Sequence, residues 1–482
     1  MKQAFSRKNL WEKAHPLVRA VVGRSLALVP LDVLMGRSFR HWRRLLQEAQ
    51  WWDAEQYHRY QLQRLKKILM IAYERTQFYR ERFRQVGFEP GDFKDIDDMS
   101  RLPTIDKETV RQNLQAMTTV PPTDLSVDYT TTSGTGGTPL CFYMDSSRHA
   151  VEFAHLAASW ERVGYCPGDS MAVFRGKPIP LDRSGMYHEH DPLLRHHRYS
   201  TFHMTQEQME RYVQHMHAVS PKFVHAYPSA AFMLARFMLH RSLRFPPSVK
   251  AVLLESEPDY PHQREFIERE FSLRVFSSYG HTEKLVLAAH CEHSHLYHVW
   301  PTYGYCEILD ERGTPVSAGH RGEIVGTGFI NEVVPFIRYR TDDYATVVGQ
   351  GCAKCGRNHL LLDEIRGHRT QEFLVARDGR TVIAWTALNM HDDTFDGIIR
   401  FQFLQETPGH TELRMVPAGG SQKYDLERIR RHLKAKLDGI VDVTLTLCDE
   451  IPPNKSGKKP IVVQRIPGIE LLLKEHQAAT GA

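Results

Sequence analysis

The sequence predicts an α/β protein: a large layered N-terminal domain followed by a small α+β C-terminal domain. Short apolar runs alternate with helix-period segments from about residue 128 onward, the pattern of strands and helices stacked in layers. After Tyr303 the texture changes to strands and tight turns, and beyond about residue 365 a second, smaller strand–helix pattern begins. A length of 482 residues accommodates two large units or about three ordinary ones.

Residues 1–50 read as a helical N-terminal extension. A helix from about Pro16, with Trp11, Phe39, Trp42, Arg43 and Arg44 nearby, has two readings: contact with a membrane surface, or the favoured one, packing against the main domain. The stretch Leu17–Leu34 is interrupted by Arg19, Arg24, Pro30 and Asp32, so neither a membrane span nor a signal peptide is expected. Residues 50–87 read as helix on the spacing of Leu62, Leu65, Ile68, Leu69, Ala72 and Tyr73, broken by Pro90 and Gly91. The segment Leu102 to Lys107 offers a cap before a helix through Val110 and Leu114. Strands are expected at Met171 to Phe174, Phe223 to Ala226, Ala251 to Leu254 and Val275 to Ser278, and then at Cys306 to Asp310 and Gly322 to Gly328. The charged stretch Glu364 to Arg369 suits a linker, dividing the chain into 1–365 and 366–482. Beyond it come a hairpin (Phe373 to Ile383, turning at Asp378-Gly379), a strand at Phe401 to Gln405, an amphipathic helix at 424–437 and a strand at 441–447.

Hydrophobic residues at 41% and charged residues at 25% are ordinary for a soluble globular chain. Lys plus Arg is 62 against 57 Asp plus Glu, a net charge of +5, too dilute for a nucleic-acid-binding face. The 27 His residues read mostly as solvated surface groups that add charge below about pH 6.5. Seven Cys, an odd number, make no disulfide scaffold and point to a reducing, cytoplasmic compartment.

Four motifs carry the chemistry. In Thr130-Thr131-Thr132-Ser133-Gly134-Thr135-Gly136-Gly137-Thr138-Pro139, hydroxyls and glycines form a loop whose N–H groups can surround phosphate oxygens. No Gly-Lys-Ser follows, so it is not a Walker loop; a plain flexible turn is the competing reading. The second, Ser277-Ser278-Tyr279-Gly280-His281-Thr282-Glu283, offers an aromatic to stack on a base, hydroxyls for oxyanions and a carboxylate for Mg²⁺. Its bland reading is a strand-to-helix junction capped by Thr282. The third is Pro335-Phe336-Ile337-Arg338-Tyr339-Arg340-Thr341-Asp342-Asp343 and the fourth Ile451-Pro452-Pro453-Asn454-Lys455-Ser456-Gly457-Lys458.

In this order the motifs resemble the acyl-adenylate-forming superfamily, more closely its phenylacetate–CoA ligase-like branch, and within it the bacterial capsular-polysaccharide biosynthesis proteins. The resemblance extends over nearly the whole chain, through Phe78-Tyr79-Arg80, Leu102-Pro103, Phe174-Arg175-Gly176, Ala226-Tyr227-Pro228-Ser229, Ser256-Glu257-Pro258, Gly367-His368-Arg369-Thr370-Gln371-Glu372 and Ala387-Leu388-Asn389-Met390-His391.

The resemblance implies an αβαβα N-terminal domain with a small β-barrel part and a mobile C-terminal domain. It implies ATP and Mg²⁺ as cofactors, with CoA as a candidate acceptor. Thr132, Ser133, Gly134, Thr135, Gly136, Gly137 and Thr138 would form the phosphate loop. Ser256, Glu257, Pro258, Tyr279 and Gly280 would surround the adenine, with Thr282 at the α-phosphate and Glu283 on Mg²⁺. Asp343 would bind the ribose hydroxyls, and Lys458 would bridge the acyl carboxylate and the α-phosphate. Three positions depart from the family pattern. Gly136 replaces a threonine in the loop. Asp342 stands where the family has glycine, adding a negative charge beside the nucleotide. The hinge reads Gly367-His368-Arg369 instead of Gly-Arg, so Arg369 would act from a shifted register.

The reaction so implied is activation of a small carboxylic acid as acyl-AMP, then transfer to a CoA or carrier-protein thiol or to an amine. The acyl pocket would lie near Tyr227 to Ser229, Ser256 and the Tyr279 strand. The other reading is a degenerate homologue that binds nucleotide or partners without turnover. Separately, Cys352-x-x-Cys355 is one half of a zinc knuckle, and Cys291, His293, His295 and His298 offer the other half, with His290 adjacent. The expected structural zinc set is Cys291, His298, Cys352 and Cys355, with His293 and His295 as rival donors; relatives in the branch carry such residues at similar places.

Overall fold

The computed structural model describes residues 29–124, 127–132, 140–367, 372–388, 394–418, 424–451 and 460–469. They divide into two compact units, one of Met1–Thr130, Phe142–Gly168 and Phe276–Gly367, the other of Thr131–Cys141, Asp169–Val275 and His368–Ala482.

The first unit is an antiparallel meander backed by helices. In order across the sheet run Gly304–Leu309, Arg321–Gly328, Tyr339–Gln350, Leu360–Arg366, Tyr297–Val299, Leu287–His290 and the strand ending at Gly280. Leu360–Arg366 pairs with Tyr339–Gln350, up to Tyr344 opposite Arg366. The charged residues expected to form a linker are therefore strand as far as Arg366; their side chains are largely solvent-facing, which mimics a linker's composition. The expected helix over 50–87 is two, Ala54–Arg75 and Gln77–Gln85. Thr76 between them is extended; its hydroxyl donates to the Ala72 carbonyl (2.7 Å) and accepts from the Tyr79 N–H (3.2 Å), stopping one helix and capping the next. In the N-terminal extension, Phe39 and Leu46 of the helix Gly36–Ala49 are fully buried with Ala154, Ala158, Leu287, Trp300 and Tyr303. Trp42 packs on His155 and Arg43 pairs with Glu161, so the described part of this extension is spent on packing; Trp11 and the expected helix from about Pro16 as far as residue 28 lie outside the described residues.

The second unit contains a parallel sheet in which Ala251–Leu254, Phe223–Ala226, Met171–Phe174 and His196–Tyr199 lie side by side, with His188–Asp191 antiparallel at the edge. The inner three strands are wholly buried and, His225 apart, read as apolar runs, as parallel strands covered on both faces do. Because they run the same way, Phe174, Ala226 and Leu254 end in register, and the residues just beyond share one rim, where open α/β sheets bind ligands. The C-terminal segment has a mixed sheet, Asp442–Leu447, His410–Pro417, Ile398–Thr407 and Val462–Gln464, beside the hairpin Phe373–Val375 with Thr381–Ile383. The helix Leu426–Leu437 covers it, capped by Asp425. No helix among the described residues is long and apolar enough to cross a membrane.

Candidate functional site

In the first unit, the motif Ser277 to Glu283 is a strand edge followed by a turn, with the Lys284 N–H bonded to the His281 carbonyl (3.1 Å). The next element is the strand Leu287–His290, so the strand-to-helix junction is not found and Thr282 caps no helix. The turn lies flat against the neighbouring strands because those strands carry glycine. A Cβ at Gly304 would fall 1.9 Å from the Leu285 carbonyl oxygen, and one at Gly326 or Gly328 would fall 2.7 Å from the Leu285 side chain. Glu283 is thereby buried, and its Oε1 accepts from the Tyr339 hydroxyl (3.3 Å) while Oε2 stands 3.7 Å from His281 Nδ1.

Asp343 is buried on the strand Tyr339–Gln350 and accepts from the Tyr279 hydroxyl at 2.8 Å. The meander thus joins residues from two motifs, each carboxylate oriented by a tyrosine. Burial, then the adjoining Asp343 carboxylate, pushes the Tyr279 phenol well above its usual range, so it stays a donor. Asp342, the unusual residue, is exposed while Asp343 is buried, and its N–H donates to Glu323 (3.0 Å). Its φ of +59° is left-handed, the conformation glycine supplies freely and Asp tolerates. The backbone demand behind the family's glycine is met, and the extra charge faces water.

Arg338 and Arg340, in the same motif, serve the scaffold. Arg338 makes a bidentate pair with Glu307 (3.1 and 2.9 Å), both buried, and Arg340 bonds Glu323 (2.8 Å).

In the second unit, Ser256 follows the strand Ala251–Leu254 and has φ +71°, strain of the kind that collects at functional positions. Its hydroxyl accepts from Arg175 (2.9 Å), whose guanidinium lies over Tyr227 and pairs with Glu255. His225 Nε2 is 3.1 Å from Arg175 and 3.0 Å from Glu255; burial, then Arg175, holds the imidazole well below its usual range and uncharged. Sequence reasoning does not single out this Arg175–Glu255–His225 set, although Arg175 lies within the motif Phe174-Arg175-Gly176 and His225 borders Ala226-Tyr227-Pro228-Ser229. Glu257 accepts from the Ser229 N–H and hydroxyl, both at 2.9 Å. That carboxylate sits on the first turn of the helix Pro228–His240, where it stabilises the helix N-terminus. Pro258 is half-buried and Gly280, in the first unit, is exposed. Thr132 closes the base of the glycine loop: its N–H donates to the Leu140 carbonyl (2.8 Å) and its hydroxyl accepts from the Leu140 N–H (3.0 Å). Ser133, Gly134, Thr135, Gly136, Gly137, Thr138, Arg369 and Lys458 lie outside the described residues.

Cys291, His298, Cys352 and Cys355 come together, one ligand atom from each within 4.8 Å of the others. His298 is fully buried with no hydrogen-bond partner on either ring nitrogen among the described residues, an arrangement that a metal ligand explains and a core histidine does not. The His293 N–H donates to Cys291 Sγ (3.4 Å). Burial pushes the Cys291 thiol up to about 11, a cost that a cation removes by holding the thiolate. The residues present fit zinc.

Comparison with known proteins bears on both units. Residues 374–465 match the family model for the CapK C-terminal domain. The phenylacetate–coenzyme A ligase of Escherichia coli is 28% identical over 66% of this chain and 72% of its own length, and that of Thermus thermophilus 25% over 66% and 71%. Protein CapK of Staphylococcus aureus is 20% identical over 84% of this chain and 89% of its own. The structure of 2-hydroxyisobutyryl-CoA ligase in the postadenylation state superposes with a TM-score of 0.55 at 21% identity, covering 89% of this chain and 94% of that one, a likeness of fold. The chain is thus similar to phenylacetate–coenzyme A ligases over about two thirds of its length and to CapK over more of it, with a match to the CapK C-terminal domain at residues 374–465.

Proposed function

We propose that the protein activates a small carboxylic acid with ATP, forming acyl-AMP and pyrophosphate, and passes the acyl group to a thiol, CoA in the first instance. The observation that carries this reading is the pair of buried carboxylates on one meander, Glu283 and Asp343, each held by a tyrosine hydroxyl. Groups so fixed suit preorganised binding of a magnesium nucleotide. Glu283 would hold Mg²⁺, which supplies charge neutralisation when bound. Asp343 would take the ribose hydroxyls, Thr282 and the loop Thr132 to Thr138 the phosphates, and Ser256 to Pro258 with Tyr279 the base.

A carboxylate is a poor acyl donor because oxide is a poor leaving group. Attack on the α-phosphorus of ATP joins two anions, and the Lys458 ammonium would offset that charge. The C-terminal domain, turning about a hinge just past Arg366, at Gly367 to Arg369, would then withdraw the lysine for transfer. The Arg175–His225–Glu255 set, next to Ser256, favours an acid with a hydrogen-bonding substituent over a purely apolar one. The sequence resemblance to capsular-polysaccharide biosynthesis proteins supports a role in cell-surface polysaccharide synthesis, and seven cysteines with no disulfide between them suit a reducing, cytoplasmic site. The Cys291–His298–Cys352–Cys355 group would hold a structural zinc, so Cys352→Ser removes one equivalent of tightly bound metal by elemental analysis.

The deciding experiment is carboxylate-dependent ATP–pyrophosphate exchange over a panel of acids. Exchange with at least one acid is expected. Lys458→Ala should abolish exchange while transfer from supplied acyl-AMP survives; equal loss of both half-reactions, or no exchange with any acid, would defeat the assignment.

A further inference from the structure

A second group of metal-binding side chains lies at the edge of the parallel sheet. His188–Asp191 runs antiparallel to His196–Tyr199, with His188 opposite Tyr199 and His190 opposite His197. Residues two apart on a strand share a face, so His188, His197 and Tyr199 point the same way. The helix Gln206–Val219 packs over that face: its Met209, Tyr212 and Met216 share the core with Tyr199, and His215, three residues after Tyr212, lies on the same flank. One ring nitrogen from each of His188, His197 and His215 comes within 4.8 Å of the others.

We propose that these three imidazoles bind a divalent transition-metal ion of the zinc class, at a site distinct from the cysteine-rich group. His188 Nε2 and His197 Nδ1 are 3.3 Å apart. Two nitrogens on one tetrahedral ion, each about 2.0–2.1 Å from the metal, are themselves about 3.3–3.4 Å apart. A hydrogen bond between the two rings would account for that spacing but not for the third. The His215 ring lies 4.3 Å from that of His188, centroid to centroid, and its Nδ1 is 2.8 Å from the Tyr199 hydroxyl.

Ligating imidazoles fix their orientation by donating the other ring N–H to an acceptor. With Nδ1–H on the Tyr199 oxygen, the Nε2 lone pair of His215 would be the one left for a metal. The Asp182 carboxylate, 3.8 Å from His188 Nδ1, attracts the corresponding proton of His188 across a longer gap. The neutral ring, with one nitrogen protonated and the other bearing a lone pair, is the form that coordinates metal. All three are half-buried, so an ion can enter from solvent. Three nitrogen ligands leave a fourth position for water or a small anion, which is an open site. The ion would pin the edge hairpin to the helix.

The test is Co²⁺ titration of the chelator-stripped full chain, followed by visible and near-ultraviolet absorption. Thiolate ligands give an intense sulfur-to-cobalt charge-transfer band, whereas an all-nitrogen site gives only weak d–d bands. Two equivalents are expected, one of each spectral type. His197→Ala should remove only the equivalent without charge transfer, and Cys352→Ser only the other. Tyr199→Phe should keep both equivalents but weaken the nitrogen site roughly 10-fold. A wild-type protein that takes up only thiolate-bound cobalt would overturn the proposal, and so would a nitrogen-type equivalent that persists in His197→Ala. Loss of both equivalents in that variant marks misfolding; His215→Gln then decides, with retention of the nitrogen-type equivalent counting against the site.

Discussion

The Tyr279 hydroxyl offers the sharpest test of the proposed nucleotide site. It donates to the buried Asp343 carboxylate at 2.8 Å and remains protonated at any assay pH. A hydrogen bond to a charged group contributes about 1.5–3 kcal/mol. If Asp343 binds the ribose, Tyr279→Phe frees the carboxylate to rotate and leaves an acceptor of the ground-state pair unmet. Affinity for ATP should fall by roughly 10- to 150-fold, at about 1.4 kcal/mol per tenfold. Calorimetric titration with ATP would measure it in wild type, Tyr279→Phe, Asp343→Asn and the double variant. The coupling energy across this cycle should reach about 1.5 kcal/mol, because the second substitution removes an interaction already lost. Additivity to within about 0.5 kcal/mol would show the two side chains acting independently, and the assignment of a shared ribose site would fall.

Burial, against a smaller opposing pull from the Val151 carbonyl, holds His155 down to about 4 from an ordinary 6.5. The unfolded chain therefore binds the extra proton first, and stability present above about pH 6.5 is lost as pH falls toward 4, by about 3 kcal/mol for this residue alone. His155→Phe should flatten the slope of urea-unfolding free energy over that interval; an unchanged slope refutes it. Arg338→Met strands the buried Glu307 carboxylate and should destabilise the first unit by about 3–5 kcal/mol, read as a lower urea midpoint. Asp342→Gly relieves a left-handed φ of +59° but loosens the unfolded chain, two effects of about 1 kcal/mol that oppose each other. Stability and ATP affinity should therefore change little, whereas a severalfold gain in affinity would mean that the Asp342 charge reaches the nucleotide.

What could be read in the sequence, and what could not, follows from the range of the interactions involved. The strands Met171–Phe174, Phe223–Ala226 and Ala251–Leu254 announce themselves because both faces are buried and all their residues but His225 are apolar. The edge pair His188–Asp191 and His196–Tyr199 carries no such signal; polar and histidine-rich, it becomes strand only by pairing with Met171–Phe174. Leu360–Arg366 hides for the same reason, and Thr76 is silent in a helical period although its hydroxyl ends one helix and begins another. At the site, each motif is visible locally but its partners are not. Tyr279 and Asp343 are 64 residues apart, and only the antiparallel meander turns their proximity into a bond. Asp342 looks like a charge conflict in one dimension and resolves in three, because at its left-handed φ the side chain is exposed while Asp343 beside it is buried. The cysteine–histidine group shows the same rule: His293, His295 and His298 are equivalent by spacing, and strand pairing of Tyr297–Val299 with Leu360–Arg366 brings His298 to the three cysteines. Residue types announce which chemistry is available, whereas pairings made far along the chain decide which of those residues meet.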